Sequence, residues 1–346
     1  MTTDRQTRVL QTKRRTLEDL LLDRLRDRPR PGTDFTAKLS LEISDGDSWT
    51  IGVEPDRLSL SAGVHPDADT TVFVNTQTMI SLLTGERSGI EAFLSGDLRV
   101  RGNLALSLRL SSLVGTEGEN RFEKARDVRA GGVKTFYLEA GEGRPMILLH
   151  GLGATNASML PTFWEFASDH RVIAPDLPGF GESAKPIRSY DAAFYAQWLQ
   201  AFMDELEIAD AVLVGNSMGG RVAIETALAA PERVDRVALL APSPAFIKKR
   251  EMVGVVRILR PELAFVPLPL PRSQAVRALK GMFSKPGRLE QAWYEAAIDE
   301  FLRIFRTRRG RIAFFSAARQ IYLEPPHGES GFWERLPSLE RPALFI

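Results

Sequence analysis

The sequence predicts a small α+β domain followed by a larger α/β domain whose parallel sheet is covered by helices. The chain is 346 residues long, which exceeds one typical domain of roughly 100–200 residues. Apolar periodicity breaks down at residues 115–128, where glycine and charged residues accumulate. Beyond that break, short apolar runs alternate with amphipathic helical stretches, a pattern typical of a parallel sheet.

Composition excludes several classes of function. Apolar residues make up 44% of the chain and charged residues 26%, as in an ordinary globular protein. The 45 basic and 44 acidic side chains give a formal net charge of +1, so we expect no nucleic-acid partner. Because the chain has no cysteine, a disulfide framework, a thiolate zinc site and a cysteine nucleophile are all excluded.

Targeting signals are not visible in the sequence. The first thirty residues contain charged side chains throughout and no apolar core of signal-peptide length, and no run of 18 apolar residues follows. The expected location is therefore the cytoplasm. Residues 17–26 have leucines at helical spacing, which predicts a helix packed on its own domain, with a membrane-surface helix as the alternative.

The first domain is predicted over residues 15–114. Its pattern predicts strands at 37–43, 49–53, 57–60 and 71–74, a helix at 76–83, and further apolar segments at 97–100 and 104–110. From this pattern we expect an antiparallel sheet with helices.

Residues 69–108 resemble the lipid-transfer domain of the sterol carrier protein type. The matching stretches are Leu82-Leu83-Thr84-Gly85, Ala92-Phe93-Leu94-Ser95-Gly96 and Arg101-Gly102-Asn103-Leu104. The resemblance implies helices and a sheet around an apolar tunnel that holds a lipid ligand. A solid core or a dimerisation module is the alternative, because cavity-lining and core-filling residues look alike in sequence.

The second domain is predicted over residues 129–346, after a linker at 115–128. The pattern places strands at 133–139, 146–150, 171–174, 211–214 and 236–240, with helices at 192–206 and 218–230.

The pentapeptide Gly215-Asn216-Ser217-Met218-Gly219 lies between an apolar strand and a helix, which is the context of a nucleophile elbow. Small residues are needed two positions before and after the serine because the turn is tight. Ser217 itself is expected in a strained conformation with its hydroxyl presented. The helix that begins at Met218 directs its positive end toward that hydroxyl. Ser217 is therefore the candidate nucleophile.

Together with two further motifs, this turn resembles the α/β-hydrolase family. The other two are His150-Gly151-Leu152-Gly153 after a strand and the loop Asp176-Leu177-Pro178-Gly179-Phe180-Gly181 after the next. The resemblance implies an oxyanion hole formed by the backbone N–H groups of Leu152 and Met218. It also implies that His150 braces the loop and that Asp176 fixes turn geometry, so neither is expected to be catalytic.

A serine nucleophile needs a base and an acid that orients the base. The one histidine after Ser217 is His327, in a loop rich in proline and glycine. Asp235 and Asp299 do not end a predicted strand. In the family the acid and the histidine follow later in the chain, so we expect both beyond Ile346. The expectation is a hydrolase domain without its C-terminal part, weakly active or inactive unless completed.

Residues 244–335 are predicted to be a mostly helical insertion. Over 241–310 the chain has 14 Lys/Arg against 6 Asp/Glu, together with several apolar runs. In the family such insertions form a cap over the nucleophile. A basic, apolar cap suits acyl chains or peripheral contact with an anionic membrane, and a solvated basic face over an ordinary cap core is the alternative.

The function that these features predict is a serine hydrolase of carboxylic esters, including lipid esters, that acts through an acyl-Ser217 intermediate and needs no cofactor or metal. One alternative is a lipid-binding or carrier protein with an inert hydrolase-like domain. Another is a carbon–carbon bond hydrolase of aromatic degradation, although those enzymes have a longer glycine-rich run after the His-Gly pair than Leu152-Gly153-Ala154 provides. Dehalogenases and epoxide hydrolases of the same fold are excluded, because they use aspartate where this chain has Ser217.

Overall fold

The computed structural model describes residues 16–26, 36–114, 124–242, 253–258, 260–265, 270–283, 285–288, 290–329 and 331–346. The chain divides into two compact units, Met1–Phe122 and Glu123–Ile346. Within the described stretches, no helix is both long enough and apolar enough to cross a membrane.

In its described residues, the first unit is a five-stranded sheet with four helices. In chain order its elements are α1 (Leu17–Arg26), β1 (Ala37–Ile43), β2 (Trp49–Glu54), β3 (Arg57–Ala62), β4 (Thr70–Val74), α2 (Thr76–Thr84), α3 (Gly89–Leu94), β5 (Leu98–Gly102) and α4 (Leu104–Val114). The strands lie in the order β3-β2-β1-β4-β5. The predicted α+β class is confirmed.

The expectation of an antiparallel sheet is wrong for one pair of strands. β1 and β4 run parallel, whereas the other three pairs are antiparallel. Residues 63–69 return the chain from the end of β3 to the beginning of β1, where Asp69 N–H donates to Lys38 O over 2.9 Å. The alternation of apolar residues marks which face of a strand is buried, but it does not record strand direction.

The sequence motif around residue 82 of this unit has a local structural reason. The side chain of Asn75 caps α2 by accepting a hydrogen bond from Thr78 N–H at 2.7 Å. Gly85 ends the same helix in the left-handed region at φ 74°, where glycine is favoured. Leu83 and Ile90 are buried, so α2 and α3 contribute to the core of the unit.

The second unit is built around a seven-stranded sheet. Its main elements are β6 (Lys124–Ala130), β7 (Val133–Ala140), β8 (Arg144–Leu149), α5 (Leu160–Phe166), β9 (His170–Pro175), α6 (Ala192–Glu205), β10 (Ala211–Asn216), α7 (Met218–Ala229), β11 (Val234–Leu240) and, at the far edge, β12 (Ala343–Phe345). The strands lie in the order β12-β11-β10-β8-β9-β7-β6.

The predicted parallel sheet is present from β12 to β9, and the other edge of the sheet differs from the prediction. β7 pairs antiparallel with β9, and β6 pairs antiparallel with β7 through a hairpin. Gly131 and Gly132 form its turn at φ 53° and 81°, a conformation that a two-residue hairpin favours. The predicted linker at 115–128 thus overlaps β6, whose alternation is hidden by charged residues on its exposed faces.

Helices fill most of the described chain between β11 and β12. They are α8 (Val253–Ile258), α9 (Arg272–Gly281), α10 (Gln291–Phe305), α11 (Arg308–Tyr322) and the short α12 (Phe332–Arg335). We call the described residues from α8 to α11 the cap. The segment after α11 is held to α7 by Arg221, whose buried guanidinium pairs with Glu225 at 2.7 Å and Glu324 at 2.6 Å.

The parallel part of the sheet decides where the site lies. β10 pairs with β8, and β8 pairs with β9, all in the same direction. The carboxyl ends of these three strands therefore meet at one edge of the sheet. The turns that follow them contain Gly151, Asp176 and Ser217.

Candidate active site

The turn after β10 holds Ser217 in a strained backbone conformation. Its φ of 49° and ψ of −108° place a residue with a side chain where glycine is normally favoured. The glycines on either side explain how the turn closes. A Cβ at Gly215 would collide with the backbone of Gly219, and a Cβ at Gly219 would collide with the carbonyl of Leu149. The turn can form only because both positions lack a side chain.

The backbone of Ser217 is fixed, but its hydroxyl is not used to cap the following helix. Ser217 N–H donates to Leu240 O of the neighbouring strand over 3.0 Å. α7 begins at the next residue, Met218, and the hydroxyl makes no capping hydrogen bond to it. The side chain is partly exposed, whereas Met218 is buried. The hydroxyl is thus presented at the positive end of a 12-residue helix.

The turn after β8 lies directly against the turn that carries Ser217. A Cβ at Gly151 would lie 2.9 Å from Asn216 Oδ1 and 3.5 Å from Ser217 Cβ. Ala154 N–H donates to Gly151 O over 3.2 Å, which closes the turn around Leu152. The structure therefore places the predicted oxyanion residues Leu152 and Met218 on two neighbouring turns at the edge where Ser217 lies.

His150 has no capacity left to act as a base for Ser217. Leu177 N–H donates to its Nε2 at 2.9 Å, so the proton is on Nδ1, which donates to Gly151 O at 2.8 Å. The ring is fully buried, and burial lowers the pKa of His150 to about 4 despite the hydrogen bond to Gly151. His150 joins the turn after β8 to the turn after β9.

Asp176, like His150, has its side-chain polar atoms hydrogen-bonded to backbone groups. Asn156 N–H donates to its Oδ1 and Glu182 N–H to its Oδ2, both at 2.8 Å. Ser183 Oγ donates to the backbone oxygen of Asp176 at 2.6 Å. Burial raises the pKa of Asp176 to about 7, against the two backbone hydrogen bonds, which lower it. The carboxyl group holds two loops together at the edge of the sheet.

The remaining titratable candidates have partners elsewhere. His327 is exposed and pairs with Glu334 at 3.4 Å, and His170 lies at the amino end of β9 beside Asp169. Asp235 is the second residue of β11, far from its carboxyl end, and pairs with Arg144 at 2.6 Å. In the part of the chain that the structure describes, no hydrogen bond links a histidine to the Ser217 hydroxyl.

The cap contacts the turn after β8 through aromatic side chains. A Cβ at Gly153, whose φ is 73°, would lie 2.9 Å from a ring carbon of Phe314 and 3.2 Å from one of Phe301. The rings of Phe301 and Phe305 stack with centroids 5.2 Å apart, and both meet Phe314 edge-on at 5.7 and 5.5 Å. These three rings, which we call the phenyl wall, are contributed by α10 and α11.

One ion pair ties the cap to the loop after β9. Arg303 on α10 donates to Glu300 at 2.8 Å on its own helix and pairs with Glu182 at 2.7 Å on the loop. Glu182 is also the residue whose N–H binds Asp176. The cap, the loop after β9 and the segment that follows β8 are therefore connected through Asp176.

Sequence reasoning missed these cap contacts. The apolar run 301–305 marks a buried helix face, but nothing in it indicates which turn of the sheet that face meets. Ala241, at φ 41° just after β11, is a second omission, since alanine gives no sign of a left-handed conformation. Both features depend on contacts between residues that are more than a hundred positions apart in the chain.

Comparison with known families agrees with the two units. Residues 144–259 match the alpha/beta hydrolase fold family, and residues 21–115 match the SCP-2 sterol transfer family. The chain joins an SCP-2-type domain to an α/β-hydrolase fold. The second unit is called the hydrolase domain below.

Relatives of the hydrolase domain are named for different activities. The chain is 40% identical over 109 residues to the dihydrolipoyllysine-residue acetyltransferase component of the acetoin cleaving system of Pseudomonas putida, and this match covers 32% of this chain and 30% of that protein. It is 37% identical over 126 residues to a 2-hydroxymuconate semialdehyde hydrolase of Pseudomonas sp. (strain CF600), covering 35% and 44%. The chain thus spans less than half the length of either relative.

Two solved structures show the same fold. A membrane phospholipase A, described as a bacterial virulence factor, aligns with a TM-score of 0.52 and 24% identity over 70% of this chain and 73% of that one. A hydrolase from Pseudomonas aeruginosa PA01 aligns with a TM-score of 0.51 and 22% identity, covering 64% and 79%. At these identities the likeness concerns the fold of the hydrolase domain.

Proposed function

We propose that this protein is a serine hydrolase that cleaves carboxylic esters through an acyl-Ser217 intermediate. The observation that carries the proposal is the conformation of Ser217. A non-glycine residue at positive φ costs on the order of 1–3 kcal/mol, and such strain persists where the surrounding structure enforces it, often at active sites. Here the strain presents an uncapped hydroxyl at the start of α7.

The proposed reaction uses the two turns beside Ser217. Its Oγ attacks the ester carbonyl carbon, and the carbonyl oxygen takes up negative charge. The N–H groups of Leu152 and Met218 donate to that oxygen, and each donor of this type contributes about 2.7–4 kcal/mol of transition-state stabilisation. Collapse of the intermediate breaks the bond to the alcohol, which leaves with a proton, and water then hydrolyses acyl-Ser217.

The reaction also needs a base for the Ser217 proton. His150 cannot take this role, because both ring nitrogens are occupied and its pKa is lowered to about 4. Among the residues that the structure describes, we assign none as the base or as its partner acid. No cofactor or metal enters this scheme.

The phenyl wall supports an apolar acyl group as the substrate. Phe301, Phe305 and Phe314 approach the turn that carries Leu152, so a group held against them lies beside the oxyanion hole. The adjoining SCP-2-type domain supports a lipid, either as ester substrate or as a ligand of that domain. The proposal also includes small-molecule esters as substrates. It further includes a cytoplasmic location and no nucleic-acid partner.

Carbon–carbon bond hydrolysis is the second candidate reaction. It is favoured by relatives named 2-hydroxymuconate semialdehyde hydrolase and 2-hydroxy-6-oxo-2,4-heptadienoate hydrolase, at 36–37% identity over 121–126 residues. Ser217 and the oxyanion turn are needed in this candidate as well. The substrates differ, since a dienoic acid with a 6-oxo group replaces the ester.

Fluorophosphonate labelling tests whether Ser217 is an activated nucleophile. The protein expressed from its whole reading frame should be labelled at Ser217, and the Ser217→Ala variant should not be. Turnover of ester substrates and of 6-oxo-dienoate substrates is then compared, with unlabelled protein from the same preparation. Absence of labelling, while an unrelated serine hydrolase reacts normally, would overturn the proposal and favour a lipid carrier with an inert hydrolase domain.

A further inference from the structure

A surface segment of the cap, residues 256–258 and 260–265, is held in place by hydrogen bonds from arginine side chains to its backbone. Arg311 Nε donates to Ala264 O at 2.9 Å, and Arg319 donates to Val256 O at 3.2 Å and to Arg257 O at 3.0 Å. Both arginines lie on α11, and Arg311 is buried. The arginines thus hold the segment to α11 through its carbonyl groups.

Among the described apolar side chains of this segment, the small ones are buried and the large ones are exposed. The small Ala264 and Val256 are buried, with 0% and 3% of their surface exposed. The larger Ile258 and Phe265 are 72% and 57% exposed, and Leu263 is 36% exposed. Large apolar side chains are normally buried in preference to alanine, and clustered exposure of this kind marks interaction surfaces.

Arginines surround these exposed apolar side chains. Arg257 and Arg260 are exposed on the same segment, and the guanidinium of Arg308 lies 3.6 Å from the centroid of the Phe265 ring. Glu262 is the one acidic residue within 256–265. We call Arg257, Ile258, Arg260, Leu263, Phe265 and Arg308 the cap patch.

We propose that the cap patch binds the surface of an anionic lipid bilayer. Apolar side chains that project beside cations suit the boundary between acyl chains and headgroups, where the apolar groups insert and the guanidinium groups bind lipid phosphates. Charge alone would suffice for a nucleic acid, and the exposed Ile258 and Phe265 would then have no function. A second copy would bring like-charged arginines together. Binding to the bilayer does not depend on the chemistry at Ser217.

Vesicle sedimentation tests the proposal. Vesicles of phosphatidylcholine with phosphatidylserine should bind the full chain, and vesicles of phosphatidylcholine alone should bind it much more weakly. The Ile258→Ser/Phe265→Ser variant should bind the anionic vesicles at least about tenfold more weakly. Arg308→Gln should weaken binding by a smaller factor, and added salt should reduce that difference.

Ile187→Ser is the matched control. Ile187 is 71% exposed and lies outside the cap patch, so its replacement should leave vesicle binding unchanged. All replaced side chains are on the surface, and thermal unfolding of each variant verifies that the fold is retained. The proposal is overturned if the double variant binds anionic vesicles as well as the unchanged chain does. It is also overturned if the patch instead controls binding of duplex DNA, or dimerisation in sedimentation velocity, while vesicles are not bound.

Discussion

The turns after β8 and β9 and the turn after β10 lie at one edge of the same sheet, but their polar side chains are used differently. His150 and Asp176 are fully buried, and every hydrogen-bonding atom of each ring or carboxyl group has a backbone partner. Ser217 is partly exposed and strained, and its hydroxyl is not used as a cap. The two buried groups hold the edge together through these hydrogen bonds, and the partly exposed Ser217 hydroxyl is presented at the start of α7. A shifted pKa does not by itself distinguish a group that holds the edge of the sheet together from one that is available for chemistry.

The largest effect is expected from Ser217→Ala. Loss of a nucleophile of this kind typically lowers turnover by a factor on the order of 10³–10⁶. Since the hydroxyl caps nothing, the free energy of unfolding should change by less than about 0.5 kcal/mol. Ester turnover and urea unfolding of the same preparation measure both. A marked loss of stability would mean that Ser217 is a structural residue like His150.

Gly219→Ala is the next largest change and tests the backbone of the nucleophile turn. The added Cβ would collide with Leu149 O, so the turn should open at a cost of about 3 kcal/mol or more, and labelling at Ser217 should disappear. Gly254→Ala is the matched control, because that helical position is open. It should stabilise the protein by about 0.5–1 kcal/mol. Equal effects of the two changes in urea unfolding would contradict the account.

His150 should make the protein sensitive to acid. Its pKa is about 4 when folded, against 6.5 for the free side chain, so the unfolded chain binds the proton more readily. Stability is therefore retained above about pH 6.5 and is lost as the pH falls toward 4, by about 3 kcal/mol. In His150→Gln this loss should be absent, which urea unfolding at a series of pH values would measure. An unchanged acid limb in the variant would show that another group is responsible.

Asp176 should have the opposite dependence on pH. Burial raises its pKa to about 7, so the folded protein holds a proton that the unfolded chain has released. This contribution to stability is present at low pH and decreases as the pH rises through 7. Asp176→Asn removes it and leaves one backbone N–H without an acceptor, at a cost of about 1–2 kcal/mol near pH 7. Comparing unfolding of the variant with the unchanged chain at pH 5 and 8 measures both. A constant difference across this range would contradict the assignment.

How much the sequence predicts depends on how local each feature is. The elbow around Ser217 was predictable because the glycines, the serine, the strand and the helix lie within a few residues of one another. The parallel pairing of β1 with β4 and the hairpin that brings β6 to the sheet were not, because alternation records burial and not direction. The phenyl wall was not predictable either. Phe301 and Gly153 are almost 150 residues apart in the chain, and only packing brings them together.

Trapping of the acyl-enzyme tests the central claim most directly. The protein from the whole reading frame is mixed with excess long-chain ester, quenched in acid and digested, and the peptide that contains Ser217 is weighed by mass spectrometry. The account predicts that this peptide gains the mass of the acyl group, and that neither Ser217→Ala nor an acid-denatured sample gains it. Turnover of the ester with no acyl group on Ser217, or with the acyl group on another residue, would contradict the account.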